Sequence, residues 1–237
     1  MTQRKWTSTV LVVALAALTV ALLAYYAFIS TPGKVEEIGG RYDVVIKFWR
    51  RNNIATIEYT DESGRHMGLF WNDTRKCLEW IKENTSENAV FLCWWDYGHM
   101  IKGYTGRDVI IRNPSKEIQK SVANPKKVRE YDPHERIVDV ARALSTEDPN
   151  VTINIMKKYN ASYIFIYKDD LRKAGWIFWA AGLNSSDYIN DEGNLTDRGK
   201  QTMLYRLVSG IDPVFTIVYQ DERVKVYRAH YDASTRL

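Results

Sequence analysis

Ala89-Val90-Phe91-Leu92-Cys93-Trp94-Trp95-Asp96-Tyr97-Gly98 is the stretch on which the reading of this 237-residue chain turns. Its first five residues form a short apolar run of strand type. Its last five set two Trp, an Asp, a Tyr and a Gly at the C-terminal end of that run. The chain holds 8 Trp, so an adjacent pair is improbable by chance. In open α/β sheets, ligand sites gather where strands end and helices begin. The segment therefore predicts a sheet and a site at its edge.

Working outward, Asn72 to Asn84 reads as a helix, with Cys77, Leu78 and Ile81 at helical spacing and Asn72 or Asp73 as cap. Before it, Tyr42–Arg50, Ile54–Tyr59 and His66–Trp71 have strand composition. Arg51-Asn52-Asn53 and Asp61-Glu62-Ser63-Gly64 separate them as turns. After the motif, Val109-Ile110-Ile111 is of β type, and Pro133–Leu144 and Val151–Tyr159 read as helices. Ser162–Tyr167 follows as a strand and Leu171–Leu183 as an apolar helix. Phe215–Tyr219 and Val224–Arg228 read as a closing hairpin about Gln220-Asp221-Glu222. Strands alternating with helices indicate an α/β, or mixed α+β, globular domain.

The N-terminus carries a different signal. Thr9 to Ile29 is an uncharged run of 21 residues, which as a helix spans about 31 Å, close to the hydrocarbon thickness of a bilayer. Arg4 and Lys5 precede it, and Tyr25-Tyr26 lie near its far end. The positive-inside rule then places the N-terminus in the cytoplasm and the rest outside. Ala24-Tyr25-Tyr26-Ala27 is a poor cleavage site, which favours a transmembrane anchor over a removed signal peptide. The expected organisation is a cytoplasmic tip and transmembrane helix over 1–30, a Gly- and Pro-containing linker over 31–40, and an extracytoplasmic domain over 41–237.

Six Asn-x-Ser/Thr sequons begin at Asn72, Asn84, Asn150, Asn160, Asn184 and Asn194. With 13 Asn and 28 Ser plus Thr in the chain, roughly one or two are expected by chance. The excess suggests a glycoprotein that meets a glycosylation machinery. The net charge of +4 is too small and diffuse for a nucleic-acid partner, and the basic stretch Lys116–Arg136 is mixed with acids. Cys77 and Cys93 are the only cysteines. A single bridge and two buried free thiols both remain open. His66, His99, His134 and His230 are scattered, so neither a histidine metal site nor a catalytic triad is indicated.

Residues Asn84-Thr85 through Trp94-Trp95-Asp96-Tyr97-Gly98 resemble the catalytic subunit of the oligosaccharyltransferases, the archaeal members above all. The order Asp108-Val109-Ile110-Ile111, the helix from Pro133, Leu144–Asp148 and Ile155–Ile166 is similar to that family's soluble C-terminal domain. Asp170-x-x-Lys173-x-x-x-Ile177 resembles its second signature, Asp-x-x-Lys-x-x-x-Met-x-x-Ile, with Ile177 in place of Met and Ala180 in place of the final Ile. The likeness covers roughly residues 72–230. It implies transfer of a glycan from a lipid pyrophosphate carrier to sequon asparagines.

Chemistry fits that implication. A sequon is recognised through its Ser/Thr hydroxyl, which has one donor and two lone pairs. Two indole N–H groups and one carboxylate would saturate it, and a site so built rejects an alanine analogue. Trp94, Trp95 and Asp96 are thus the candidate pocket, with Lys173 and Ile177 flanking a threonine methyl. Tyr97, Gly98 and Asp170 shape the turn. A plainer reading competes: Trp94 and Trp95 as core, Asp96 as a helix cap, and Asp170 with Lys173 as an exposed helix-face pair.

The resemblance also implies a multi-span membrane region that holds a divalent metal and the lipid-linked oligosaccharide. This chain shows one apolar span and no Asp-x-Asp motif, so no catalytic residue, metal ligand or cofactor is assigned to it. The expected function is a membrane-anchored acceptor-sequon module in protein N-glycosylation. Its partners would be the lipid bilayer, an Asn-x-Ser/Thr polypeptide and a separate multi-span transferase subunit, the chain not being catalytic alone. The alternative is a degenerate paralogue serving as a structural or assembly protein at the cell surface.

Overall fold

The computed structural model describes residues 3–49, 55–112 and 135–230, the side chains of 3–14 excepted. Helix α1, Gln3–Ser30, opens the chain. From residue 15 onward its apolar side chains stand clear of protein, with Leu15 through Phe28 exposed by 54% or more where large. Among the described residues, no helix is long and apolar enough to cross a membrane.

Four strands follow as an antiparallel meander: β1 (Pro32–Ile38), β2 (Val44–Trp49), β3 (Ala55–Asp61) and β4 (Gly64–Phe70). The stretch expected as a linker is thus largely strand. Glu36 lies opposite Ile46 and Ile38 opposite Val44. An edge strand tolerates Pro32 at its first position because that residue owes the ladder no N–H. The turn expected at Arg51-Asn52-Asn53 lies outside the described residues, as do Pro133, His134 and most of the basic stretch.

The second sheet has five strands in the order β6-β5-β7-β9-β8. Strands β5 (Val90–Leu92), β6 (Asp108–Val109) and β7 (Tyr163–Tyr167) are parallel; β9 (Val224–Arg228) and β8 (Thr216–Gln220) close it as an antiparallel hairpin. Both faces of β7 are covered. Ile164 pairs with Tyr227, whose hydroxyl donates to the Leu207 carbonyl in helix α7 (Met203–Ser209). One residue out of phase, Phe165 and Tyr167 meet the Tyr97 ring. A strand covered on both faces reads as a continuous apolar run, which is what Tyr-Ile-Phe-Ile-Tyr is.

Helices α2 (Arg75–Asn84) and α3 (Gly98–Thr105) pack together, and α3 also packs on β3, β4 and β6, joining the two sheets. Helix α2 begins after a 3-10 turn at Asn72–Thr74 and has no side-chain cap, so neither Asn72 nor Asp73 caps it. Two glycines make α3 a poor helix by propensity. Close packing requires Gly103: a Cβ there would lie 2.6 Å from Tyr59 Cδ1. Helices α4 (Glu135–Ser145), α5 (Pro149–Lys158), α6 (Ala174–Ala180) and α7 complete the domain, with α4 packed against the other three. Cys77 and Cys93 are free, and burial pushes both thiols up, which decides against a bridge.

Candidate functional site

Strands β5 and β7 run parallel, with Phe91 opposite Tyr163 and Leu92 opposite Ile164. Their C-terminal ends therefore open side by side. Each end feeds a 3-10 turn and then a helix: Trp95–Tyr97 into α3, and Lys168–Lys173 into α6. Phe91, Leu92, Ile164 and Phe165 are fully buried, each stabilising the sheet by about 1.5–3 kcal/mol. That rigid pair of strands fixes where the two turns sit.

The turns meet through polar side chains. The Tyr97 hydroxyl donates to Asp170 Oδ1 at 2.6 Å, and Asp170 Oδ2 accepts the Tyr167 backbone N–H at 2.9 Å. Lys173 Nζ lies 2.6 Å from Asp96 Oδ2, donates to the Tyr97 hydroxyl at 2.7 Å, and stands 3.4 Å from Asp170 Oδ1. Those contacts match the three N–H bonds of an ammonium. Burial raises the pKa of Asp170 against the opposing pull of Lys173 and Tyr97. Burial, followed by the Asp170 charge, raises that of the Tyr97 phenol, which stays a donor.

The expected site residues separate into two groups. Trp95, Asp96 and Lys173 are half-buried at the rim, with Lys173 keeping 23% of its side chain exposed. Trp94 (4% exposed), Tyr97 and Gly98 are buried, as is Asp170. Ile177 is fully buried in the core. It does not reach the surface to flank a ligand methyl, which corrects the expectation drawn from the second signature. Gly98 has an ordinary helical φ of −59°. It is needed sterically, because a Cβ would lie 2.3 Å from the Ile111 carbonyl oxygen.

The plainer readings fare differently. Asp96 caps no helix: Tyr97 holds the cap position of α3, without a side-chain bond, and Asp96 faces Lys173. Asp170 is inside the protein, so it is not half of an exposed pair. Trp94 does behave as core.

Two residues without a sequence signal join the site. Trp71, at the end of β4, has its ring 5.2 Å from that of Tyr97 and 5.7 Å from Lys173 Nζ, within cation–π range. The Tyr167 ring lies tilted beside that of Tyr97, and its hydroxyl donates to Asp73 Oδ2 at 2.7 Å. Their role comes from contacts between segments distant in sequence, which no local pattern announces.

A divalent metal finds no donor set here. Asp96 and Asp170 are committed to Lys173 and Tyr97, and among the described residues no three His, Cys, Asp or Glu converge. The histidines are less scattered than their numbers suggest. His66 and His99 stack 5.6 Å apart beside Tyr59, with His99 Nδ1 3.0 Å from the Tyr59 hydroxyl. His66 Nε2 faces both Asp61 Oδ1 (2.7 Å) and Ser63 Oγ (3.0 Å). One ring nitrogen cannot donate to an acid and accept from a serine at once, so this is no catalytic triad.

Residues of this chain are 24% identical over 140 positions to the dolichyl-diphosphooligosaccharide–protein glycosyltransferase subunit stt-3 of Caenorhabditis elegans. They are 23% identical over 154 positions to the STT3 subunit of Dictyostelium discoideum. These matches cover 56% and 59% of this chain but 16% and 19% of those proteins, so the chain spans less than a fifth of their length. The fold is similar to the crystallised C-terminal globular domain of an Archaeoglobus fulgidus oligosaccharyltransferase. The TM-score is 0.52 at 21% identity, covering 68% of this chain and 99% of that domain. No family model matches.

Proposed function

From homology to STT3 subunits of oligosaccharyltransferases, we propose that this chain grips acceptor sequons in protein N-glycosylation. The observation that carries the reading is the meeting of the two signatures, Asp96 held by Lys173 at 2.6 Å beside a half-exposed Trp95. Lys173 fixes Asp96 through Oδ2 and leaves Oδ1 to accept from a Ser/Thr hydroxyl, while the Trp95 indole N–H donates to it. The Trp71 ring, on the other side of Lys173, takes the apolar-wall role that buried Ile177 cannot fill.

We assign glycan transfer itself to a separate multi-span membrane subunit. Helix α1 tethers the domain to the bilayer with the domain outside the cell. Support comes from its uncharged run and from large apolar side chains standing uncovered on its described portion. Co-purification from native membranes tests the partnership, the expected result being recovery with a multi-span transferase.

For the grip itself, the indole N–H signals of a nitrogen-labelled chain should report on an added Asn-Val-Thr peptide. Trp95 and Trp71 are expected to shift, and Trp176, exposed on α6, to stay. Equal small shifts at all tryptophans would oppose a site. One observation favours a second reading, a structural paralogue. Trp94 and Ile177 are core, and the Lys173–Asp96 pair is already closed without ligand. That reading expects no peptide-dependent shift at all.

A further inference from the structure

Six sequons are present, but they do not present the same chemistry once the domain is folded. Modification needs both a reachable Asn amide and a reachable hydroxyl two residues on. Thr74 and Thr152 are fully buried. The Thr74 hydroxyl donates to the Trp71 carbonyl at 2.7 Å and that of Thr152 to the Ala143 carbonyl at 2.7 Å. The sequons of Asn72 and Asn150 are therefore closed. Asn160 is exposed and Ser162 half-buried, but Asn160 is fixed at a left-handed φ of 53° and Ser162 is bonded through its backbone to Val90 and Ala229, so the sequon cannot extend without opening the edge of β7.

Two further sequons are occupied locally. Asn84 ends α2 with its amide donating to the Trp80 carbonyl at 2.9 Å. At Asn194 the hydroxyl is taken: Thr196 Oγ1 donates to the Asp187 carbonyl at 2.9 Å and accepts the Gly199 N–H at 3.1 Å. Asn184-Ser185-Ser186 is exposed at both ends, as Asn84-Thr85-Ser86 is, but Asn184 is extended, at φ −76° and ψ 110°, where Asn84 is the last residue of a helix. Its amide has only a 3.5 Å contact with Asp187 Oδ1, at the outer limit of a hydrogen bond.

We propose that Asn184 is the N-glycan acceptor of the folded protein, and that the other five sequons accept a glycan only from the unfolded chain. A short 3-10 turn, Ser185–Asp187, is the only element that must open for the sequon to extend, and a single such turn is held weakly. A glycan there projects from the loop after α6.

The inference shares with the proposed function only the premise that a sequon is read through its hydroxyl. It does not use the Trp94–Asp96 site, because the transferase in the test is another enzyme. Full-length, unglycosylated chain in detergent is incubated with a membrane oligosaccharyltransferase and its lipid-linked oligosaccharide, and glycopeptides are mapped by mass spectrometry. The folded chain should be modified at Asn184 at least tenfold faster than at any other sequon, and Asn184→Gln should abolish that fast phase. Urea-unfolded chain should show modification at Asn72 and Asn150 as well. An unmodified Asn184 in the folded chain, or Asn72 or Asn150 modified there as fast, overturns the proposal.

Discussion

The two strand ends that meet at the site follow one plan, strand, 3-10 turn, helix, yet they send their acids in opposite directions. After β5, Asp96 reaches the rim, where its side chain keeps 14% exposure. After β7, Asp170 turns fully inward and is bonded by Tyr97 and Tyr167. Lys173 touches both. The contrast teaches that the inner acid serves the fold, while the outer one, on the proposed reading, keeps an oxygen for a ligand; a single ammonium touches both.

Removing the inner acid is the severest way to break the contrast. Asp170→Ala leaves the Tyr97 hydroxyl and the Tyr167 N–H without their acceptor inside the protein and Lys173 with Asp96 as its only acid, and should destabilise by ~3–5 kcal/mol, read as a lower urea midpoint. If the same loss follows Asp96→Ala, the two acids are not different in kind. A second test concerns the helix that the first end feeds. Burial lowers the pKa of His99 from 6.5 to about 4. A depressed pKa contributes stability that is present above pH 6.5 and is lost as the pH falls toward 4, worth about 2–3 kcal/mol by pH 4.5. His99→Gln should flatten the urea midpoint between pH 7 and 4.5 relative to wild type. An unchanged slope would mean that the imidazole is not held neutral beneath the motif.

Smaller effects sharpen the picture. Tyr97→Phe removes the hydroxyl that joins the two ends and should destabilise by ~1–3 kcal/mol. It should also loosen Lys173, weakening peptide binding as well as stability. Trp95→Ala, at the half-exposed rim, should change stability by about 1 kcal/mol or less and abolish peptide binding. A large loss of stability there, with binding unaffected, would move Trp95 into the core beside Trp94.

Both strands that end at the site were legible in the sequence; the 3-10 turn after the second was not. Composition and apolar spacing indicated β5, β7, α2 and the β8–β9 hairpin; of these, β5, β7 and α2 bury the apolar residues that gave the signal. Helix α3 was hidden: Gly98 and Gly103 lower its propensity, and only the close approach of Ile111 and Tyr59 explains them. Pro32, Gly33, Gly39 and Gly40 concealed β1, whose edge position tolerates them. Ile177 was placed at the ligand by the second signature, which carries no information on where the backbone changes from one helix type to another. The chain is a 3-10 turn through Lys173, which stacks Asp170 and Lys173 three apart, and becomes α-helical afterwards. Ile177 then rotates into the core. Trp71 and Tyr167 could be joined to the site only by knowing which segments distant in sequence meet.

The central claim, that Asp96 and Trp95 hold a sequon hydroxyl, is tested most directly by calorimetric titration of the full chain in detergent with paired peptides. Asn-Val-Thr should bind at least about tenfold more tightly than Asn-Val-Ala, a difference of about 1.4 kcal/mol, and Asp96→Asn should erase that preference while the protein stays folded. Equal binding of the two peptides by the wild-type chain would contradict the account.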